Sequence, residues 1–244
     1  MKRIDLHCDT VTMLRGRETL EKSHCCVNLG NLRSSGTAVQ CFAAFIPTGY
    51  YPRPLRERLV ADRFAHIYRR YQAMLQSHPD TLRAIRSSAD IDFCLKNDRI
   101  GCLLTLEDGG ILGKDIHAVQ DFYEKGVRLV TLTWNTENLI GYPRSSDPVK
   151  MQRGLKPYGF AVVEELERLG IAVDVSHLSD GGFRDVLRVC KKPVVASHSN
   201  ARAVWDHPRN LTDDMIRAVA DSGGVIGLNF GGEFLGPGRG NRAE

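Results

Sequence analysis

The sequence predicts an α/β fold of the (β/α)8 TIM-type barrel kind, a single domain over residues 1–244 with about seven of the eight strands present. Three observations predict it. Short apolar runs of about four to eight residues alternate with longer stretches of helical periodicity, the pattern of parallel strands buried on both faces and of the helices that connect them. Helix, glycine and strand follow one another directly at Leu169-Gly170-Ile171 and again at Ser222-Gly223-Gly224-Val225, as in consecutive βα units. The length of 244 residues suits one barrel, and no internal repeat or Ser/Gly linker divides the chain.

Taken in order, Ile4 to His7 reads as the first strand and Val39 to Ile46 as the second. Thr48 to Pro54, with a glycine, two tyrosines and two prolines, reads as a loop before a helix over Leu55 to Gln76. A strand at Gly101 to Leu106 precedes a helix at Ile116 to Lys125 and a strand at Val127 to Thr133. A second long loop spans Leu139 to Pro157. The helix Pro157 to Leu169 is the clearest, with proline at its start, Phe160, Val163, Leu166 and Leu169 spaced by three, and Gly170 just past its end. The strand Ile171 to Ser176, helix Gly182 to Val189 and strand Pro193 to Ser197 follow. A capping stretch then opens the helix Asp213 to Ser222, and Val225 to Phe230 is the seventh strand. Long loops after strands are where a barrel keeps its chemistry.

Composition narrows the function. A formal net charge of +4, from 33 Lys+Arg against 29 Asp+Glu, gives no case for nucleic acid or a membrane surface as partner. Hydrophobic residues at 42% and charged residues at 25% are ordinary for a soluble globular domain. The N-terminus lacks the apolar core of a standard secretion signal, and no run of about 18 apolar residues is present to span a membrane. Seven cysteines in mostly apolar settings, without paired metal-knuckle spacing, point to reduced thiols and a cytoplasmic location. The adjacent Cys25 and Cys26 are read as having no special role.

The chemistry-bearing residues stand at strand ends. His7 and Asp9 close the first strand, and side chains two apart there share a side at about 6.6 Å between Cα atoms, so both can converge on one ion. Alternation sends Cys8 to the other side. Glu107, His177 and His198 end three further strands. In a parallel barrel these ends share one face. Taken singly, each has an ordinary structural explanation; their recurrence at equivalent positions is what argues for a site. Three imidazoles and two carboxylates exceed the needs of one structural zinc and suit two ions, with Glu107 as the bridge between His7 with Asp9 and His177 with His198. The donor set favours zinc. His24, His66, His78 and His117 lack partners at ligand spacing and are read as surface or packing residues, while His207 opens a turn. Arg209 in that turn is a candidate anion clamp.

With these ligands placed, the sequence resembles the membrane dipeptidase (renal dipeptidase) family of zinc peptidases, particularly its cytoplasmic bacterial branch. The resemblance runs from Ile4 to about Leu235 in seven ordered blocks: Asp5–Thr10, Leu106–Gly110, Gly126–Asn135, Gly154–Gly159, Val173–Ser179, Ala196–Arg202 and His207–Asp213. It implies a (β/α)8 barrel with two zinc ions per chain, His7, Asp9 and Glu107 on one and Glu107, His177 and His198 on the other. It further implies hydrolysis of dipeptides (L-Xaa-L/D-Xaa) by a hydroxide bridging the two ions. Glu107 and Asp9 are then the catalytic candidates, and Arg209, Trp134 and Asn135 the substrate-binding ones, Arg209 receiving the free carboxylate. Small dipeptides are the expected partners, and homodimerisation is left open.

Two departures from the family pattern stand out. Trp134 occupies the place where the vertebrate enzymes put a histidine near the substrate carbonyl, so oxyanion stabilisation falls to the metal ions. An eighth strand ending in an Asp-Phe-Asp-Gly-like motif, whose aspartate serves the catalytic water, has no counterpart, and the tail Gly236 to Glu244 reads as disordered. The expectation is therefore a truncated chain that binds metal weakly and has little activity. Two other readings compete: a barrel deacetylase or lactonase, and a catalytically silent family member.

Overall fold

The computed structural model describes residues 2–237. Gly236 and Pro237 fall inside that range, and the rest of the tail, residues 238–244, lies outside it. The elements are β1 (Arg3–Asp5), α1 (Thr10–Met13), α2 (Leu29–Ser34), β2 (Thr37–Phe45), α3 (Arg56–Ser77), β3 (Leu82–Ala84), α4 (Ser88–Lys96), β4 (Ile100–Glu107), α5 (Ala118–Glu124) and β5 (Val127–Thr131). They continue with α6 (Pro148–Met151), α7 (Pro157–Leu169), β6 (Ala172–Asp174), α8 (Asp180–Val189), β7 (Val195–Ala196), α9 (Asp213–Asp221) and β8 (Val225–Ile226).

All the pairings are parallel, and the sheet runs β1-β2-β4-β5-β6-β7-β8, with β3 attached to the start of β4. The seven strands of the main path are those expected from the apolar runs, in the same order. The five expected helices are present as α3, α5, α7, α8 and α9. β1 and β7 are five steps apart on this path, about 24 Å if the sheet were flat. Yet the rings of His7, just past β1, and His198, just past β7, stack with centroids 3.9 Å apart. The sheet therefore curls into barrel geometry and brings the strand C-termini to a common rim.

β2 and β4 form the centre of the sheet and are almost wholly buried, as continuous apolar strands covered on both faces must be. Leu104, Leu106, Val130 and Val173 join Phe64, Ile67 and Tyr71 of α3 and Val162, Val163 and Leu166 of α7 in one core. α7 shows why the local sequence folds as it does. Pro157 supplies the first-turn φ at no cost in hydrogen bonds, Val162, Val163 and Leu166 form the buried stripe, and Gly170 ends the helix at φ +77.

Several elements differ from what the sequence predicts. The strand ends are shorter than the apolar runs: β6 stops at Asp174, β7 at Ala196 and β8 at Ile226. Beyond these points the backbone bends to serve side-chain partners instead of the ladder. After β8, for example, Asn229 donates its amide to the Asn200 Oδ1, and no strand pairs the outer edge of β8 among the described residues. Ile4, Val225, Leu228 and Phe230 are exposed along β1, β8 and the segment after it. His7 and Asp9 also lie past β1, so strand alternation alone does not align them. The loop Leu139 to Pro157 contains α6, whose N-terminus Asp147 caps. Cys8, Cys41, Cys94 and Cys102 are buried free thiols, and among the described residues no helix is long and apolar enough to cross a membrane.

Replacing fully buried Leu166 by alanine is expected to lower stability by about 2–5 kcal/mol through a cavity. Gly170→Ala, which meets no neighbour but must hold a left-handed φ, is expected to cost only about 1 kcal/mol. Urea unfolding midpoints check the order; equal losses would contradict the packing described.

Candidate metal centre

A single row of register partners builds the rim. Phe45 of β2 pairs with Glu107 of β4, Glu107 with Thr131 of β5, Thr131 with Asp174 of β6 and Asp174 with Val195 of β7. Neighbours in one row of a parallel sheet point to the same side, so Glu107, Thr131 and Asp174 all enter the interior. Three histidines are added just past the strand ends: His7 after β1, His177 after β6 and His198 after β7. His177 takes a left-handed backbone, φ +67, which costs an L-residue about 1–2 kcal/mol. Such a conformation persists only where its surroundings hold it. The His177 carbonyl accepts from the Arg144 amide at 2.7 Å, and the flanking Ser176 and Ser179 amides are also bonded.

Glu107 is buried and faces all three imidazoles. Its Oε2 lies 3.4 Å from His7 Nε2, and its Oε1 lies 3.1 Å from His177 Nε2 and 3.6 Å from His198 Nε2. The donor atoms of His7, Glu107 and His198 are all within 4.8 Å of one another. Asp9 completes the group on the His7 side, Oδ2 to Nε2 at 3.6 Å. Asp9 sits at the N-cap of α1, yet its side chain accepts no capping hydrogen bond, and its buried Oδ1 has no partner among the described residues. The structure thus brings His7, Asp9, Glu107, His177 and His198 together from four strand ends. Cys8 points away into the hydrophobic core.

The charges at this rim call for a cation. Burial drives the His177 and His198 imidazoles well below their ordinary pKa, with the Arg209 and His7 charges adding to it, so both rings are neutral. A neutral imidazole donates from one nitrogen only. His177 Nδ1 lies 3.1 Å from the Asn135 Oδ1, so the network assigns its proton there and leaves Nε2 as a bare lone pair. That lone pair stands 3.1 Å from a carboxylate oxygen and 3.0 Å from His198 Nε2. Acceptors converging in this way, together with the orphaned Asp9 Oδ1, fit a divalent cation; nitrogen and oxygen donors without thiolate suit a zinc-type ion. On the other flank, burial alone would lower the His7 pKa, but the Glu107 and Asp9 carboxylates outweigh it and bring it up to about 9. Burial pushes the Glu107 carboxyl up as well. The His7–Glu107 pair therefore keeps at least one proton at neutral pH.

Arg209 stands behind the histidines, buried, in the turn that follows β7. Its Nη1 donates to Ser199 Oγ at 3.1 Å and its backbone amide to His207 Nδ1 at 3.1 Å, while Nε and Nη2 are buried without a partner among the described residues. Burial lowers its pKa to about 10, against the pull of Asp174 and Glu107, which still leaves a charged guanidinium at neutral pH. A buried cation with free donors is a seat for an anion. Trp134 packs at a tilt against Phe45 and edge-to-face with Tyr50, at 5.0 and 5.8 Å between ring centroids, and its ring lies 6.3 Å from that of His177, forming an aromatic wall. Asn135 engages His177. His207 packs on Phe234, and His24 pairs with Glu18. Three residues of the site were not singled out from the sequence: Asp174, Thr131 and Ser197. The available signal was a charged residue, Asp174, inside the otherwise apolar run Ile171 to Val175.

The family model of the membrane dipeptidases, peptidase family M19, matches residues 1–242. An uncharacterized protein of the pqqA 5′ region of Klebsiella pneumoniae is 37% identical over 160 residues, 63% of this chain and 58% of that protein. An uncharacterized dipeptidase of Schizosaccharomyces pombe is 32% identical over 160 residues, 66% of this chain and 39% of that protein. The chain thus spans about half the length of these relatives. Among solved structures, the dipeptidase AC, a metallo peptidase of family M19, superposes with a TM-score of 0.77 at 26% identity, over 86% of this chain and 65% of that one.

Because the His7–Glu107 pair is protonated in the metal-free protein, zinc uptake at pH 7 is expected to release at least one proton, and apparent affinity is expected to rise with pH until His7 titrates near 9. Calorimetric titration in two buffers of different ionisation enthalpy counts the protons. Uptake without proton release, or tighter binding at pH 6 than at pH 9, would contradict the assigned charges.

Proposed function

Since the chain belongs to the membrane dipeptidase family, peptidase family M19, we propose that it hydrolyses dipeptides (L-Xaa-L/D-Xaa) with two zinc ions per chain. His7, Asp9 and Glu107 would hold one ion and Glu107, His177 and His198 the other. The observation that carries this reading is the split engagement of Glu107, Oε2 towards His7 and Oε1 towards His177 and His198. When bound, such ions lower the pKa of water towards about 7 and polarise a carbonyl.

The chain's own residues supply the rest. Arg209 offers Nε and Nη2 to the substrate's free carboxylate in a buried setting, where a charge-assisted pair is strong. Arg209 and His177 line the same small cavity, so a carboxylate held by Arg209 would end the substrate close to the rim and favour substrates only two residues long. Trp134, with Phe45 and Tyr50, closes one side of the site against water and presents ring surface to a substrate side chain. Asn135 serves the substrate indirectly, by holding the His177 ring through Nδ1. Glu107 and Asp9 are the two carboxylates placed to hold a proton at the reacting atoms, Asp9 being the more exposed of the two.

The test is zinc content and dipeptide hydrolysis measured on the protein as its gene produces it. Two zinc ions per chain and chelator-sensitive turnover of dipeptides are expected, with Glu107→Gln losing both. Arg209→Met is expected to reduce kcat/KM for dipeptides by about 100-fold or more, the loss typical of an unpaired buried charge, while leaving cleavage of simple esters little changed. Zinc below one ion per chain in the parent protein, or equal turnover of free and C-terminally amidated dipeptides, would overturn the proposal.

A further inference from the structure

Asp174 is fully buried, lies between core residues Val173 and Val175, and is not among the residues that face a metal ion. Its two oxygens are divided cleanly. Oδ1 accepts from the backbone amides of Ser176 and Ser197, both at 2.9 Å. Oδ2 accepts from the hydroxyls of Thr131 at 2.6 Å and Ser197 at 2.5 Å. The Ser197 oxygen in turn lies 2.7 Å from His198 Nδ1. A second hydroxyl, that of Ser176, is 3.4 Å from Ser197 Oγ, too far to compete for its proton.

We propose that Asp174 is a positioning residue that fixes His198 in its metal-ligating tautomer, acting through the Ser197 hydroxyl. A carboxylate only accepts, so the Ser197 hydrogen must point to Asp174. The Ser197 oxygen is then left as an acceptor, and it takes the hydrogen of His198 Nδ1. The imidazole proton is thereby held on Nδ1, and Nε2 is presented bare to Glu107 and His177. His177 reaches the same state more directly, through the Asn135 Oδ1. The two histidines share one requirement, and the fold meets it once with an amide and once with a carboxylate acting through a hydroxyl. Partners of this kind orient metal ligands and raise their basicity. Thr131 and Asp174 are register partners on β5 and β6, so the parallel sheet itself aligns the start of the relay. The bend after β8 packs against its other end: a Cβ at Gly227 would lie 2.1 Å from the Ser197 carbonyl, so only glycine allows this close approach.

The polarity of the relay makes it testable without activity. In Asp174→Asn the two backbone amides still require an oxygen at the Oδ1 position, so the new NH2 faces Thr131 and Ser197. The Ser197 hydrogen is then turned towards His198 Nδ1, and the imidazole proton moves to Nε2, where it blocks the ligand lone pair. Ser197→Ala removes the relay, whereas Ser197→Thr keeps a hydroxyl. The relay's importance for the metal rests on the proposed zinc peptidase reading; the tautomer itself does not. In the metal-stripped protein, two-bond 1H–15N correlation of the imidazoles, with His198 assigned from a His198→Gln variant, is expected to show Nδ1 protonation in the parent and in Ser197→Thr. Nε2 protonation is expected in Asp174→Asn. Zinc affinity from chelator competition is expected to fall about 10–100-fold in Asp174→Asn and Ser197→Ala and to stay near the parent's in Ser197→Thr. An Nε2-protonated His198 in the parent, or variants with the parent's tautomer and affinity, would overturn the relay. If Asp174→Asn does not fold, the two Ser197 variants decide. A parent that shows the Nδ1 tautomer but takes up no zinc would sink the zinc reading and leave the relay standing.

Discussion

The buried carboxylate of Glu107, set against three imidazoles, is the interaction on which the rest of the structure depends. A carboxylate taken out of water is costly unless opposite charge or donors surround it. Here two of the three facing imidazoles are neutral and only His7 carries a proton against it, so burial still pushes the Glu107 carboxyl up. A cluster of acceptors of this kind is held together by the scaffold rather than by its own attraction. The scaffold is the register row through Phe45, Glu107, Thr131 and Asp174, reinforced by the hydrogen bonds that Asp174 collects from the residues just past β6 and β7.

The same logic explains the uneven quality of the strands. β2 and β4 are long, regular and buried, and β4 carries the carboxylate. β6, β7 and β8 are two or three residues long, because the chain beyond each must bend to deliver a histidine or a supporting asparagine. His177 is held in left-handed backbone within the bend after β6. Regularity has been exchanged for ligand placement along one side of the sheet, a conflict of the kind expected at a functional site.

Much of this was legible in the sequence, for identifiable reasons. Continuous apolar runs and the Pro157 to Gly170 helix mark themselves through composition and caps, and the five candidate ligands mark themselves by standing where those runs end. β3 was not legible because three residues, Leu82, Arg83 and Ala84, are too few to show a period. α4 was hidden because only Cys94 is buried, leaving no apolar stripe, and its capping box uses Asp90 in place of the usual Glu. The Asp174 relay was hidden for another reason: it depends on which hydroxyl donates to which acceptor across β5, β6 and β7, and no spacing in one dimension encodes that. Arg209 could be named as an anion clamp from its motif, but its two free donors and near-complete burial are facts of packing.

The most direct measurement is anomalous X-ray diffraction at the zinc edge from crystals grown with zinc. Two peaks per chain are expected on either side of Glu107, each about 2.0–2.3 Å from its nitrogen and oxygen ligands, one beside His7 and Asp9 and the other beside His177 and His198. Density for zinc only at surface sites, with these five side chains unchanged around an ion-free rim, would contradict it.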